Sequence, residues 1–332
     1  MNHPGPRIYA PEAFAEQRRM LAGSWQLARA TTAAAEPGWI PATAGMEPVL
    51  LTTLAGETRA FPNVCTHRGA ILLEQPASTL RCPYHGRQFG PDGHLRVAPG
   101  CPALPFGEDL EPLGVDRLGP WTFVRCAGDA PFPDLSRWLD PASLAGLERD
   151  PAGDVTYTVR AHWALWVENY LEGLHVPYVH PGLRATLDLG AYRTHVEERE
   201  RVVVQVGVAK QGPYLPLPAG HPAGPNVGGL YIFLFPGTCI NVYAWGVSLN
   251  MVEPVSPTET RIHYQRWVAP ADGRDVGGPG GALDDVERED DTVVERVARG
   301  VAAVAARGGK LGSYVPTWED GARAFHGWLS GA

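Results

Sequence analysis

No run of apolar residues in this chain is long enough to cross a bilayer. Basic residues are not in excess: 28 Lys and Arg stand against 36 Asp and Glu, a net charge of −8, which argues against nucleic acid or an anionic membrane as partner. The opening residues, Met1-Asn-His-Pro-Gly-Pro6, lack the basic stretch and apolar core of a secretory signal, and a cytoplasmic location is the expectation. Cysteine is scarce. The five present are an odd number at spacings that suggest no disulfide framework, which fits a reducing compartment. A ferredoxin-type C-x4-C-x2-C run is missing, as is a G-x-G-x-x-G dinucleotide fingerprint, so the chain is not equipped to draw electrons from NAD(P)H by itself.

Glycine and proline, by contrast, are abundant, at 39 and 32 of 332 residues, and the 44% apolar fraction is ordinary for a globular protein with a sizeable core. Residues 11–22 read as a short amphipathic helix. Trp25-Gln-Leu-Ala28, Pro48–Thr53 and Thr58–Phe61 read as short strands divided by Gly, Pro and Asn, the pattern of a small antiparallel β domain. Two matching loops follow, Cys65-Thr-His-Arg-Gly-Ala70 and Cys82-Pro-Tyr-His-Gly-Arg-Gln-Phe89. Each offers one thiolate and one imidazole. Zinc takes two cysteines and two histidines, and a Rieske [2Fe–2S] cluster takes two cysteines on one iron and two histidines on the other. Zinc fingers usually pair like with like, whereas each loop here holds one of each kind, which favours the dinuclear cluster. Gly69 and Gly86, just past the histidines, allow tight turns. Pro120–Cys126 reads as the strand closing this domain, and the Pro- and Asp-rich segment 128–150 as the boundary.

A second group of donors lies in Glu168-Asn-Tyr-Leu-Glu-Gly-Leu-His-Val-Pro-Tyr-Val-His180. Glu172, His175 and His180 fall at i, i+3 and i+8, close to one helical face, with Pro177 expected to distort the helix between the histidines. Two imidazoles and a carboxylate make the facial triad of non-haem Fe(II) oxygenases; a pair of satisfied histidines is the alternative. Trp163 and Trp166 read as core. Strands are expected at 155–160, 202–208, 230–235, 239–252 and 260–267, forming an antiparallel meander wrapped around helices. The Pro/Gly-rich segment 211–227 is either a lid or an exposed connection, 271–282 a flexible linker by composition, and Asp284–Ala306 a long helix with acidic residues early and arginines late. Cys101, Cys126 and Cys239 read as small buried hydrophobes.

CTHRGA, CPYHGRQF and ENYLEGLHVPYVH together resemble the α subunit of the Rieske non-haem iron oxygenases, in particular the choline, betaine and carnitine monooxygenase branch. The resemblance runs from about Trp25 to the C-terminal helix. It implies an α+β chain with an antiparallel β Rieske domain at 25–127 and, at 150–332, a catalytic domain of antiparallel sheet packed on helices in a helix-grip-like manner. It implies that Cys65 and Cys82 bind one cluster iron and His67 and His85 the other. Two departures stand out: the stretch from His67 to Cys82 is slightly short, and Arg87 replaces a frequent Trp.

In the family the acid three residues before the first histidine is a bridge, so Glu172 is implied to link His85 of one subunit to His175 of the next in a homotrimer. The mononuclear Fe(II) ligands become His175, His180 and, from the pattern Glu289-Asp290 followed by Glu295 and Gly300, Asp290, with Asp291 the runner-up one residue out of register. Asn169 is a further candidate site residue. The implied activity is oxidation of a small organic substrate by O2, with electrons from a separate reductase or ferredoxin; Arg68, Arg81, Arg87 and Arg96 could form a docking face for an acidic donor. A Rieske-type electron carrier is the rival reading. Aromatics available to cage a quaternary ammonium are Tyr170, Tyr178, Tyr231, Tyr243 and Trp245.

Overall fold

The computed structural model describes residues 3–30, 38–269 and 284–331. The expected linker at 271–282 lies outside them. The chain divides into two compact units. One comprises Arg19–Phe132; the other joins the residues up to Arg18 to everything from Pro133 onward, so the N-terminal segment packs with the C-terminal unit, a partition that contiguous ranges do not capture.

Helix α1 (Pro11–Ala22) precedes nine strands: β1 (Gln26–Ala30), β2 (Trp39–Ala44), β3 (Glu47–Leu54), β4 (Glu57–Pro62), β5 (Leu80–Arg81), β6 (Gln88–Phe89), β7 (Leu95–Val97), β8 (Gly114–Leu118) and β9 (Trp121–Arg125). Six make an antiparallel sheet in the order β4-β3-β2-β1-β9-β8, and β5-β6-β7 form a small separate sheet. Leu50, Phe61, Leu72, Leu80, Phe89 and Leu95 are buried with Cys65 and Cys82 in one apolar cluster, so the two sulfurs lie in the core while their loops project from it.

The second unit contains α2 (Pro141–Leu144), β10 (Glu148–Val159), α3 (Trp163–Tyr170), α4 (Val176–Val179), α5 (Pro181–Thr186), β11 (Arg193–Glu197), β12 (Val202–Val208), β13 (Val227–Leu234), β14 (Thr238–Tyr243), β15 (Gly246–Ser256), β16 (Glu259–Val268), α6 (Asp284–Ala306) and α7 (Asp320–Leu329). Strands β11 to β16 run as an antiparallel meander, and β10 adds at the β16 edge. The expected single strand 239–252 is two, because the chain turns at Ala244-Trp245 and Tyr243 pairs with Gly246. In β12, the sequence VVVQVGV is apolar on both faces because six of its seven residues are buried. Trp163 and Trp166 are buried in the core, as expected. Cys239 is buried too, but Cys101 is exposed, and Cys126 is half-buried against the apolar cluster of Ala42, Ala44, Val49, Ala60 and Val124. No described helix is long and apolar enough to cross a membrane.

His162 starts α3 by accepting the Ala164 N–H on Nδ1 at 3.2 Å. It is 3% exposed, and burial pushes its pKa down from 6.5 to about 4. A depressed folded-state pKa means the neutral ring's contribution to stability is complete above pH 6.5 and is lost as pH falls toward about 4. His162→Asn keeps a capping oxygen and removes the titration. Thermal unfolding followed from pH 7 to 4 is expected to show a shallower acid loss in this variant than in the wild type; parallel curves would contradict the account.

Candidate active site

The two loops of the first unit are built alike. Cys65 N–H donates to Ala70 O at 2.8 Å and Gly69 N–H to Cys65 O at 2.9 Å; Cys82 N–H donates to Arg87 O at 2.8 Å and Gly86 N–H to Cys82 O at 3.1 Å. Gly69 and Gly86 have φ of 73° and 74°, a left-handed conformation that disfavours other residues. Cysteine-to-glycine spacing is therefore the same in both loops, and the histidine is displaced by one position between them. The sulfurs are buried at 3% and 2% exposure, while His67 and His85 are exposed with ring centroids 4.8 Å apart at 69°. Backbone N–H groups of His67 and Arg68 point at the Cys65 sulfur, and those of Tyr84 and His85 at the Cys82 sulfur. Burial raises the Cys65 pKa; at Cys82 the N–H bonds outweigh burial and lower it. Two buried sulfurs beneath two outward imidazoles fit a Rieske cluster's division of ligands.

Of the four arginines read as a docking face, Arg68 and Arg81 are exposed, and exposed Arg96 is paired with Asp92. Arg87 is a correction. It is 5% exposed and ion-paired with Glu108, so it cannot belong to an exposed face.

In the second unit the helix expected to be distorted at Pro177 is divided further, into three short helices with Glu172 in the gap between the first two. Helix α3 ends at Tyr170, and Gly173 lies so close to Tyr192 that a Cβ there would come within 2.9 Å of the ring. Pro177 and Pro181 then begin new helical turns. His175 and His180 stand at the two ends of the single-turn α4, with rings 5.1 Å apart at 79°. Asp290 reaches them from α6. Its Oδ1 is 3.0 Å from His180 Nε2 and 3.5 Å from His175 Nε2, and the three donor atoms all lie within 4.8 Å of one another. Asn169 Nδ2 donates to the same Oδ1 at 2.7 Å.

Glu172 is not in that group. Its Oε1 is 2.5 Å from His175 Nδ1, and its Oε2 accepts the Leu174 and His175 N–H groups. Glu289 meets His180 Nδ1 at 2.8 Å. Each imidazole thus has a carboxylate behind it, which holds the proton on Nδ1 and turns the Nε2 lone pair forward. Burial lowers the His180 pKa, but Asp290 and Glu289 overcome it and the net shift is upward. Asp291, one residue round the helix, is half-buried beside Trp166, and burial with the Asp290 charge pushes it up to about 7.

A cavity of about 110 Å³ adjoins these groups, lined by Trp166, Tyr170, Tyr192, Tyr231, Tyr243 and Glu287 among others. Tyr170 and Tyr192 are held by hydrogen bonds to Asn241 and Gln205 at 2.6 and 3.0 Å. Of the sequence-proposed cage, Tyr170, Tyr231 and Tyr243 line it, whereas Tyr178 is 83% exposed and Trp245 lines another cavity. Trp166, Tyr192 and Glu287 were not legible as cavity residues, although Glu287 shares a helical face with Asp290 at i−3. Tyr264 donates to Glu287, whose pKa burial and the Asp290 charge raise to about 8. Within 211–227, Leu215–Pro218 and His221 line a larger cavity of about 590 Å³ with Trp138 and Trp245, and no residue of the segment lines the one beside His175.

A second grouping with metal-like spacing, His3, Glu168 and His326, has a different interior. The Tyr9 hydroxyl lies 2.6 Å from Glu168 Oε2, 3.0 Å from His3 Nε2 and 3.5 Å from His326 Nε2, in the space an ion would need. Gly5 N–H donates to His3 Nδ1 at 2.9 Å, which leaves that ring's proton on Nε2. It is a hydrogen-bonded hub.

Residues 25–108 match the Rieske [2Fe-2S] domain model, and residues 148–331, more than half of the chain, match the model for the ring hydroxylating alpha subunit (catalytic domain). The chain belongs to that ring-hydroxylating family. It is similar to a choline monooxygenase of Beta vulgaris, 30% identical over 82% of this chain and 63% of that protein, so it spans less than two thirds of that relative. A putrescine 2-hydroxylase of Bordetella bronchiseptica is 26% identical over 80% of this chain and 69% of its own length. A solved quaternary ammonium Rieske monooxygenase shares the fold, with a TM-score of 0.77 at 20% identity over 98% of this chain and 94% of that one.

Asp290→Ala is expected to abolish high-affinity binding of one divalent ion in anaerobic titration calorimetry, while Asp291→Ala retains it. The reverse pattern would place the third ligand at Asp291.

Proposed function

We propose that this chain is the catalytic subunit of a Rieske-type oxygenase. It uses O2 and electrons from a separate reductase or ferredoxin to oxidise a small organic substrate. The observation that carries the reading is Asp290 Oδ1 at 3.0 and 3.5 Å from the forward nitrogens of His180 and His175, beside a cavity. An electron carrier has no use for such a group. Cys65, Cys82, His67 and His85 would hold the [2Fe–2S] cluster, and His175, His180 and Asp290 the mononuclear Fe(II). When bound, the cluster supplies single electrons and the ferrous ion the activation of O2.

The protein's share is positioning. Glu172 and Glu289 fix the imidazole tautomers, Asn169 orients Asp290, and the buried aromatic rings exclude water. In the same proposal Glu172 bridges His175 to His85 of the partner subunit in a homotrimeric ring, since a head-to-tail contact closes only as a cycle.

The substrate is a small organic cation. The relatives are named for choline, putrescine and quaternary ammonium compounds. The cavity carries five Tyr and Trp rings and the acidic side chains Glu172, Glu287 and Asp290, with no Lys or Arg among its lining residues. Chemically reduced, iron-loaded protein is expected to couple O2 uptake to loss of an amine from a panel holding choline, putrescine and naphthalene, and His175→Ala to abolish it. Above pH 8, where Glu287 is ionised, Glu287→Gln is expected to raise KM for putrescine about tenfold, one charge-assisted hydrogen bond's worth, with a smaller effect at lower pH. Turnover of the neutral hydrocarbon alone would overturn the cation reading; no His175-dependent uptake with the panel and a broad amine library would overturn the oxygenase reading.

A further inference from the structure

We propose that the ion pair of buried Arg87 with Glu108 clasps the two cluster loops and sets the reduction potential of the cluster between them. The inference rests on the reading of those loops as Rieske ligands and goes beyond it. Arg87 belongs to the second loop: its carbonyl accepts the Cys82 N–H at 2.8 Å. Its side chain is 7% exposed and meets Glu108, with the contacting Nη1 and Oε2 atoms shielded from solvent. Residue 108 is also tied to the first loop, because Thr66, between Cys65 and His67, donates its hydroxyl to the Glu108 carbonyl at 2.8 Å. One residue thereby joins both loops, through its main chain to one and its carboxylate to the other.

Such a pair has a weak claim to be there for stability. Burying the guanidinium is costly, and its attraction to a carboxylate whose side chain is 36% exposed is weakened by water. A guanidinium shielded from water does, however, act strongly on neighbouring charge. Arg87 sits two residues past His85, in the loop whose Cys82 N–H its own carbonyl accepts, so its charge is held beside the ligands of that loop. Reduction adds one negative charge to a cluster, and cluster potential follows local net charge and exposure. Arg87 should favour the reduced state and Glu108 oppose it. The proximity of Glu108 moderates the effect and keeps Arg87 in place.

Opposite signs make the test specific. Cluster assembly is read first, from the visible absorption and the EPR signal of the reduced protein. Reduction potentials of the wild type, Arg87→Gln, Arg87→Lys and Glu108→Gln are then compared at a pH where the wild-type value does not vary. Arg87→Gln is expected to lower the potential, Glu108→Gln to raise it, and Arg87→Lys, which keeps the charge, to stay near the wild type. Shifts of the same sign in both glutamine variants would mark loosened packing and overturn the proposal, as would unchanged potentials with full cluster content. Should Arg87→Gln fail to fold, Glu108→Gln is compared with Glu108→Asp, which keeps the charge: a rise in the glutamine variant alone supports the proposal, and an equal rise in both overturns it. A wild type without the Rieske signal would overturn the cluster reading as well.

Discussion

The site depends on one contact, the approach of Asp290 to His175 and His180. The residues are separated by more than a hundred positions and by six strands, β11 to β16, of the intervening sheet. Three features hold the approach. Gly173 lets the chain pass against Tyr192 and leave α3 early, which frees the histidines from a single helical face. Pro177 and Pro181 restart the helix so that the histidines lie one turn apart. Asn169, in the last turn of α3, donates to the Asp290 oxygen that faces both rings. An uncompensated assembly of carboxylates would repel itself, and the raised pKa values of Glu287 and Asp291 record that repulsion together with burial.

The two clusters of histidine and carboxylate in the second unit show how little spacing alone decides. In both, the three donor atoms lie within 4.8 Å of one another. At His3, Glu168 and His326 a tyrosine hydroxyl fills the centre and a backbone N–H occupies the rear nitrogen of one ring. At His175, His180 and Asp290 the rear nitrogens of both rings face carboxylates, and the front adjoins a cavity. Only the second arrangement leaves lone pairs pointing into shared space, which a metal ligand set requires.

Much of this was legible in the sequence. The cluster loops could be read because their donors and glycines are local, within six residues of one another. Helix α6 was legible to its bounds, since its charge gradient and periodicity are local as well. The placement of Asp290 toward the histidines, with Asp291 turned to Trp166, was implied only by resemblance; one residue is about 100° of helix rotation, enough to part the two side chains. The break after α3 was not foreseen, because the need for Gly173 arises from Tyr192, a contact across the fold. Nor was the turn at Ala244-Trp245, hidden in a continuous apolar and aromatic run. The misplacement of Arg87 has the same origin. A charged side chain in a loop reads as exposed until its partner across the chain, Glu108, is seen.

The central claim is that this chain holds both a dinuclear cluster and a separate mononuclear iron. Elemental iron analysis after anaerobic reconstitution with Fe(II) and sulfide, read alongside the Rieske EPR signal, tests it most directly. The account predicts about three irons per chain, one of them removable by a mild chelator without loss of the signal. A chain saturating at about two irons with the signal at full intensity would contradict it and leave an electron carrier.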